Sequence, residues 1–94
     1  MNQAFNEHQL RIWRTMIKLT NNYLEGRINF GYLVNSLEGA LDASEITDNK
    51  LTRQWYDFWT PLEAINAEIE IKISNKEKLR VVREMLNFLM SKIK

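Results

Sequence analysis

The feature that most constrains the fold is the helical spacing of apolar residues through the second half of the chain. From Leu51 to Ile73, and again from Leu79 to Ile93, large apolar residues recur every three or four positions. Steps of three and four place side chains on one face of an α-helix, which repeats every 3.6 residues or so. We therefore predict two amphipathic helices in this half and an all-α protein.

The first half of the chain carries two more helical patterns joined by a short connection. Gly26 is placed to end the first helix, because glycine readily adopts the left-handed conformation that follows a helix end. Asn29 can then cap the second helix through its side-chain oxygen. The pattern predicts helices over residues 5–24 and 30–43, paired as an antiparallel hairpin.

The third helix contains the one proline of the sequence. Asp48 or Thr47 can cap its start, and its apolar stripe includes Trp55 and Phe58 but not Trp59. The Thr-Pro-Leu-Glu sequence at 60–63 resembles a new helix start, whereas the stripe continues through Pro61 without a change of phase. We predict one helix over residues 50–73, kinked near residue 60 or broken at Pro61.

The last helix, predicted over residues 75–93, is apolar around more than half of its circumference. Its core stripe is accompanied by a second apolar strip, formed by Val81, Met85 and Phe88. Such a helix either lies between two neighbours or offers one side to a partner. Together the patterns predict a single domain, residues 1–94, folded as an antiparallel bundle of four helices.

The composition argues against most kinds of enzyme. The chain has no cysteine and a single histidine, His8, so zinc and thiolate sites are not expected. Its three glycines are too scattered for a phosphate-binding loop. We expect a non-enzymatic protein with no cofactor and no catalytic or metal-binding residues. With no signal-peptide pattern and no membrane-length apolar run, we also expect a cytoplasmic protein without membrane contact.

The middle of the chain is acidic and both ends are basic, although the net charge is only +1. Glu38, Asp42 and Glu45 lie at i, i+4 and i+7 on one flank of the second helix, and Glu63 flanks the stripe of the third. Such a row can be solvated, paired with bases, used in acid–base catalysis, or presented to a partner. Presentation of these four carboxylates to a basic protein is our leading functional prediction.

The bases define the alternative function. Arg11, Arg14 and Lys18 share the outer face of the first helix, and Arg80 and Arg83 lie in the last helix. These five residues are the candidate face of a nucleic-acid-associated regulator. The weak overall charge disfavours nucleic acid relative to a protein partner.

Self-association is the third possibility. The side of the second helix opposite its core stripe carries a glycine and other small residues, which would let another helix approach closely. The candidate residues for a homodimer contact are Tyr32, Ser36, Gly39 and Ala43, together with Val81, Met85 and Phe88 of the last helix.

Two parts of the sequence resemble small helical bacterial proteins of largely uncharacterised function, some of them similar to immunity proteins of toxin systems. The first consists of YLEGRI at 23–28 and LVNSLEGAL at 33–41, and the second of Trp55, Phe58-Trp59 and LEAINA at 62–67. The resemblance implies a helical inhibitor of a bacterial partner protein and transfers no catalytic residue. Our prediction is therefore an immunity- or antitoxin-like binding module.

Overall fold

In a computed structural model of the chain, which describes residues 5–67 and 74–93, the protein is an all-α bundle. The described parts contain four helices and no strand. They are α1 (Glu7–Leu24), α2 (Phe30–Ser44), α3 (Asn49–Ala67) and α4 (Asn75–Ser91). The predicted antiparallel four-helix fold is confirmed, and the predicted end of the third helix, at 68–73, lies outside the described residues.

The helix boundaries follow from local capping. Asn6 and Gln9 form a capping box, so α1 begins at Glu7 rather than at the predicted Phe5. Asn29 accepts a hydrogen bond from the Tyr32 amide, as predicted for the cap of α2. Gly26 has a φ of +79°. Its amide N–H donates to the Tyr23 carbonyl, and the amide N–H of Arg27 donates to the Asn22 carbonyl. This is the hydrogen-bond pattern of a Schellman motif, and it ends α1 where the glycine predicts.

The two later helices are capped in the same way. Asp48 accepts from the Leu51 amide at 3.0 Å, and α3 begins at Asn49, one residue before the prediction. The Ser74 hydroxyl accepts from the Glu77 amide at the start of α4, which ends at Ser91 rather than at residue 93. Thus each predicted helix exists, and its ends lie within two residues of the prediction wherever they can be compared.

Each helix packs against two neighbours around one core. α1 lies between α2 and α4, and α3 lies between the same two helices on the opposite corner. Trp13 and Trp55 are fully buried at the centre, where Trp55 Nε1 donates to Met16 Sδ at 3.4 Å across the bundle diagonal. Trp13 Nε1 donates to the Leu89 carbonyl at 2.8 Å and so joins α1 to the last turn of α4. The apolar residues that recur at helical spacing along α2 are all buried: Phe30, Leu33, Val34, Leu37 and Leu41.

Of the two alternatives predicted for Pro61, the structure has the continuous helix and not the break, because α3 runs through this residue to Ala67. Pro61 is exposed, while Trp59 and Leu62 on either side of it are buried. Burial of these side chains against the bundle outweighs the one backbone hydrogen bond that proline cannot donate.

The assignment of Phe58 to the core and Trp59 to the surface is also corrected. Trp59 is 8% exposed, stacks on Trp55, and donates its indole N–H to the Val34 carbonyl at 3.0 Å. Phe58 is only half-buried and stacks on Phe88, with ring centroids 4.7 Å apart. Positions 58 and 59 both lie at the border of the predicted stripe. Trp59 enters the core because α2 packs against the side of α3 that carries it.

The apolar strip of α4 is likewise part of the core. Val81, Met85 and Phe88 are at most 8% exposed, so the prediction that they offer a self-association surface is wrong. Phe88 contacts Trp13 of α1 as well as Phe58 of α3. A helix placed between two neighbours needs a wide apolar arc, which explains the composition of α4 without a partner.

Candidate functional site

The four carboxylates of the predicted acidic row lie on α2, at its end, and on α3. Glu38 and Glu63 are half-buried, whereas Asp42 and Glu45 are exposed. Across residues 5–67 and 74–93, none of the four forms an ion pair with a lysine or arginine. The alternative in which bases of the same chain neutralise this row therefore finds no support in the described structure.

Tyr56 of α3 lies beside two of these carboxylates. The pKa of its phenol is raised by partial burial and, to a lesser extent, by the negative charges of Glu38 and Asp42. Its ring also makes edge contacts with Trp55 and Trp59, with centroids 5.0 and 5.6 Å away. The structure thus joins Glu38, Asp42 and Tyr56 into one surface between α2 and α3, which we call the α2–α3 surface.

Glu45 and Glu63 extend this surface along two different elements. Glu45 is the C-cap of α2, and Glu63 lies two helical turns beyond Tyr56 on α3. Neither carboxylate contributes to the raised pKa of Tyr56. The row is therefore an extended acidic surface rather than one tight cluster.

Glu45 has an unusual backbone conformation. It is the one residue other than glycine with positive φ in the described chain, at φ 56° and ψ 32°. This left-handed conformation normally favours glycine, since a Cβ atom crowds the following carbonyl oxygen. The left-handed conformation is an ordinary way for a helix to end, but a glutamate in it costs stability relative to glycine.

The predicted basic residues divide into two separate groups. Arg11, Arg14 and Lys18 are exposed and line a shallow groove on the outer face of α1, with a volume of about 440 Å³. These three cations have no ion pair within the described residues. We call them the α1 basic row.

The basic residues of α4 differ from the α1 basic row in their ion pairing. Arg80 pairs with Glu77 and, at 3.0 Å, with Glu84, and the bond from Arg80 lowers the pKa of Glu77 below its usual range. Arg83 is exposed beside a second groove of about 510 Å³. Because two glutamates neutralise Arg80, α4 contributes less to a basic face than its sequence indicates.

The remaining self-association candidates are open to solvent in part. Tyr32 is 56% exposed, and a Cβ atom built on Gly39 would meet no atom within 4 Å. Ser36 is half-buried and Ala43 is exposed. The Ala43 carbonyl accepts a hydrogen bond from His8 Nε2 at 2.8 Å. The space that Gly39 leaves is thus not filled by any of the four described helices.

The described parts of the chain contain no cluster of side chains suited to binding a metal ion. These parts contain no group of three or more histidine, cysteine, aspartate or glutamate side chains that could hold a metal ion. His8, the one imidazole, lies against the backbone at the end of α2. Among the described helices, none has the length and apolar character needed to cross a membrane.

No pattern in the sequence predicts that Tyr56 lies beside the acidic row. Its position off the stripe of α3 marks it as a contact residue, but no spacing within one helix relates it to Glu38 or Asp42. The pairing of α2 with α3 creates this proximity.

The chain matches no protein-family model, no curated protein and no solved structure.

Proposed function

We propose that this protein is a non-enzymatic binding module, an immunity- or antitoxin-like inhibitor that covers a basic site of a bacterial partner protein. The binding residues are Glu38, Asp42, Glu45 and Glu63, with Tyr56 between α2 and α3. The observation that carries the proposal is the absence of ion pairs at all four carboxylates within the described structure.

Unpaired carboxylates suit binding to a cation-rich site for two reasons. No ion pair among residues 5–67 and 74–93 has to break when a lysine or arginine of the partner arrives, and complementary charge accelerates association. Tyr56 adds an aromatic side chain held by Trp55 and Trp59, and partly buried tyrosines are common at interface hot spots. The left-handed Glu45 fits the same role, since it retains a carboxylate where glycine would be more stable.

The experiment is affinity capture of the tagged full chain from lysate of its native cells, with and without nuclease. A matched pair of variants accompanies it. E38Q/D42N removes two carboxylates beside Tyr56, whereas E7Q/D57N removes two exposed carboxylates elsewhere. We expect one stoichiometric protein that survives nuclease, is lost with E38Q/D42N, and is retained with E7Q/D57N.

The purified partner then allows a quantitative test. Its association rate with the chain should fall as salt rises, and each lost carboxylate should weaken binding by about threefold to tenfold. Capture that both variants retain equally would refute the assignment of the α2–α3 surface. Recovery of the bait alone would refute the inhibitor proposal.

The alternative is a nucleic-acid-associated regulator, which the exposed α1 basic row supports. In that case capture would disappear with nuclease, and R14Q would weaken retention on immobilised DNA. Arg80 would contribute little, because Glu77 and Glu84 already pair with it.

A further inference from the structure

The α1 basic row and part of the acidic row have the same spacing in opposite chain directions. Arg11, Arg14 and Lys18 are separated by steps of three and four residues, and so are Glu45, Asp42 and Glu38 read backwards. At a rise of about 1.5 Å per residue, the steps of the basic row are about 4.5 and 6 Å along α1, and the step from Asp42 to Glu38 is about 6 Å along α2. Glu45 is the C-cap of α2 and lies just outside this repeat. Two antiparallel helices can therefore bring Arg14 and Lys18 opposite Asp42 and Glu38 in register.

The two rows lie on different sides of one molecule. The basic row is opposite Trp13 and Met16, the buried residues of α1, and so points directly away from the core. The acidic row lies on the edge of α2 beside Tyr56 of α3, whereas α1 packs against the other edge of α2. Within the described chain no ion pair joins the two rows.

We propose that the α1 basic row of one copy docks antiparallel on the acidic edge of α2 in a second copy. The pairs in helical register are Arg14 with Asp42 and Lys18 with Glu38, and Arg11 then lies toward the end of α2 that Glu45 caps. α1 and α2 are antiparallel within one chain. Moving a second copy sideways without rotating it therefore makes α1 of one copy antiparallel to α2 of the other.

This arrangement is head-to-tail, since each copy uses one surface to bind and a different surface to be bound. Such contacts do not close after two copies and produce open chains of molecules. A basic partner protein on the α2–α3 surface would occupy the same carboxylates, so partner binding and self-assembly would exclude each other. The self-assembly proposal does not depend on the proposed inhibitor function.

The test is sedimentation velocity of the purified full chain over a range of concentrations, at about 0.02 M and about 0.5 M salt. At low salt we expect the average mass to rise with concentration beyond that of a dimer. At high salt it should return to 11.2 kDa. A wild-type chain that stays at this mass in low salt overturns the proposal.

Charge reversal at the central pair identifies the surfaces. R14E and D42R should each weaken association about tenfold, and an equimolar mixture of the two should restore it. The mixture contains one intact basic row and one intact acidic edge, on different molecules. R83E, which reverses an exposed arginine of α4, is the matched control and should associate like the wild type. Equal weakening by R83E, or failure of the mixture to recover, overturns the assigned contact.

Discussion

At the scale of single residues, the tryptophans of the core are held by specific indole hydrogen bonds as well as by apolar packing. Trp13 and Trp55 are both fully buried, yet one N–H donates to a backbone oxygen and the other to a sulfur atom. The Leu89 carbonyl lies in the last turn of α4, where a carbonyl lacks a normal helical partner. The Leu89 carbonyl also accepts a longer bond, of 3.3 Å, from the Lys92 amide. Trp13 thus supplies the shorter of the two hydrogen bonds to this carbonyl.

We predict that W13F destabilises the protein by about 1 kcal/mol more than W55F. Both substitutions remove similar apolar area, but only W13F leaves a helix-terminal carbonyl without its strong donor. Urea denaturation followed by far-UV circular dichroism measures the difference. Equal losses for the two variants would show that the Trp13 hydrogen bond adds nothing beyond burial.

Glu45 allows a second prediction at this scale. E45G should raise the free energy of unfolding by about 1 kcal/mol, because glycine adopts the left-handed conformation without a Cβ clash. E45Q is the matched control: it removes the charge, keeps the Cβ atom, and should leave stability nearly unchanged. A loss of stability in E45G would mean that the glutamate side chain makes a contact that folding needs.

At the scale of helices, α3 tolerates a residue that its own hydrogen bonding disfavours. Pro61 cannot donate to the carbonyl of Asp57, and its ring crowds the preceding turn. The helix persists because Trp59 and Leu62 are buried against neighbouring helices. Tertiary packing therefore stabilises a helix that local propensity alone would interrupt.

We predict that P61A raises the free energy of unfolding by about 1 to 3 kcal/mol. Alanine restores the missing donor, and the exposed position of Pro61 means that little packing is lost. T60A, at the adjacent exposed position, should change stability by less than about 0.5 kcal/mol. The prediction fails if thermal or urea denaturation shows P61A to be no more stable than the wild type.

On α4, Arg80 links two glutamates on one helix face. Its bond to Glu77 lowers the folded-state pKa of that carboxyl, so the pair favours folding above the ordinary glutamate pKa. This contribution is lost as pH falls through the lowered folded-state pKa. In R80Q, an NMR titration should show the pKa of Glu77 shifted upward, toward its usual value, whereas R83Q should leave it unchanged. An unaltered Glu77 titration in R80Q would contradict the assignment.

At the scale of the whole molecule, the bundle places charges of α2 beside an aromatic residue of α3. The pKa of Tyr56 is raised chiefly by burial, then by Glu38 and Asp42. At pH values below the ordinary tyrosine pKa, a raised folded-state pKa of the phenol contributes to stability. This contribution is lost as pH rises through the folded-state pKa. The protein should therefore lose stability in the alkaline range as Tyr56 ionises.

We predict that D42N lowers the pKa of Tyr56 but leaves it above the ordinary tyrosine value, because burial remains. NMR titration of the Tyr56 ring measures this shift. D57N removes an exposed charge of α3 that does not act on Tyr56 and serves as the control. Equal shifts in both variants would show a general charge effect and not proximity of Asp42.

The candidate site was predictable only in part. The spacing of Glu38, Asp42 and Glu45 identifies a carboxylate row, since residues of one helix have known relative positions. Whether the row is paired with bases depends on helices far away in sequence. The same holds for Val81, Met85 and Phe88, whose apolar strip is equally compatible with a neighbour in the same chain and with a partner.

By itself the sequence determined that this chain forms four helices, where they are capped, and which stripe of α2 is buried. Capping and helical periodicity are local, because they involve residues within a few positions of one another. Only the tertiary structure decided that Trp59 rather than Phe58 enters the core, that α3 continues through Pro61, and that Tyr56 meets the acidic row. These outcomes depend on which helices are neighbours and how each is rotated, and a repeat of about 3.6 residues carries no information on either.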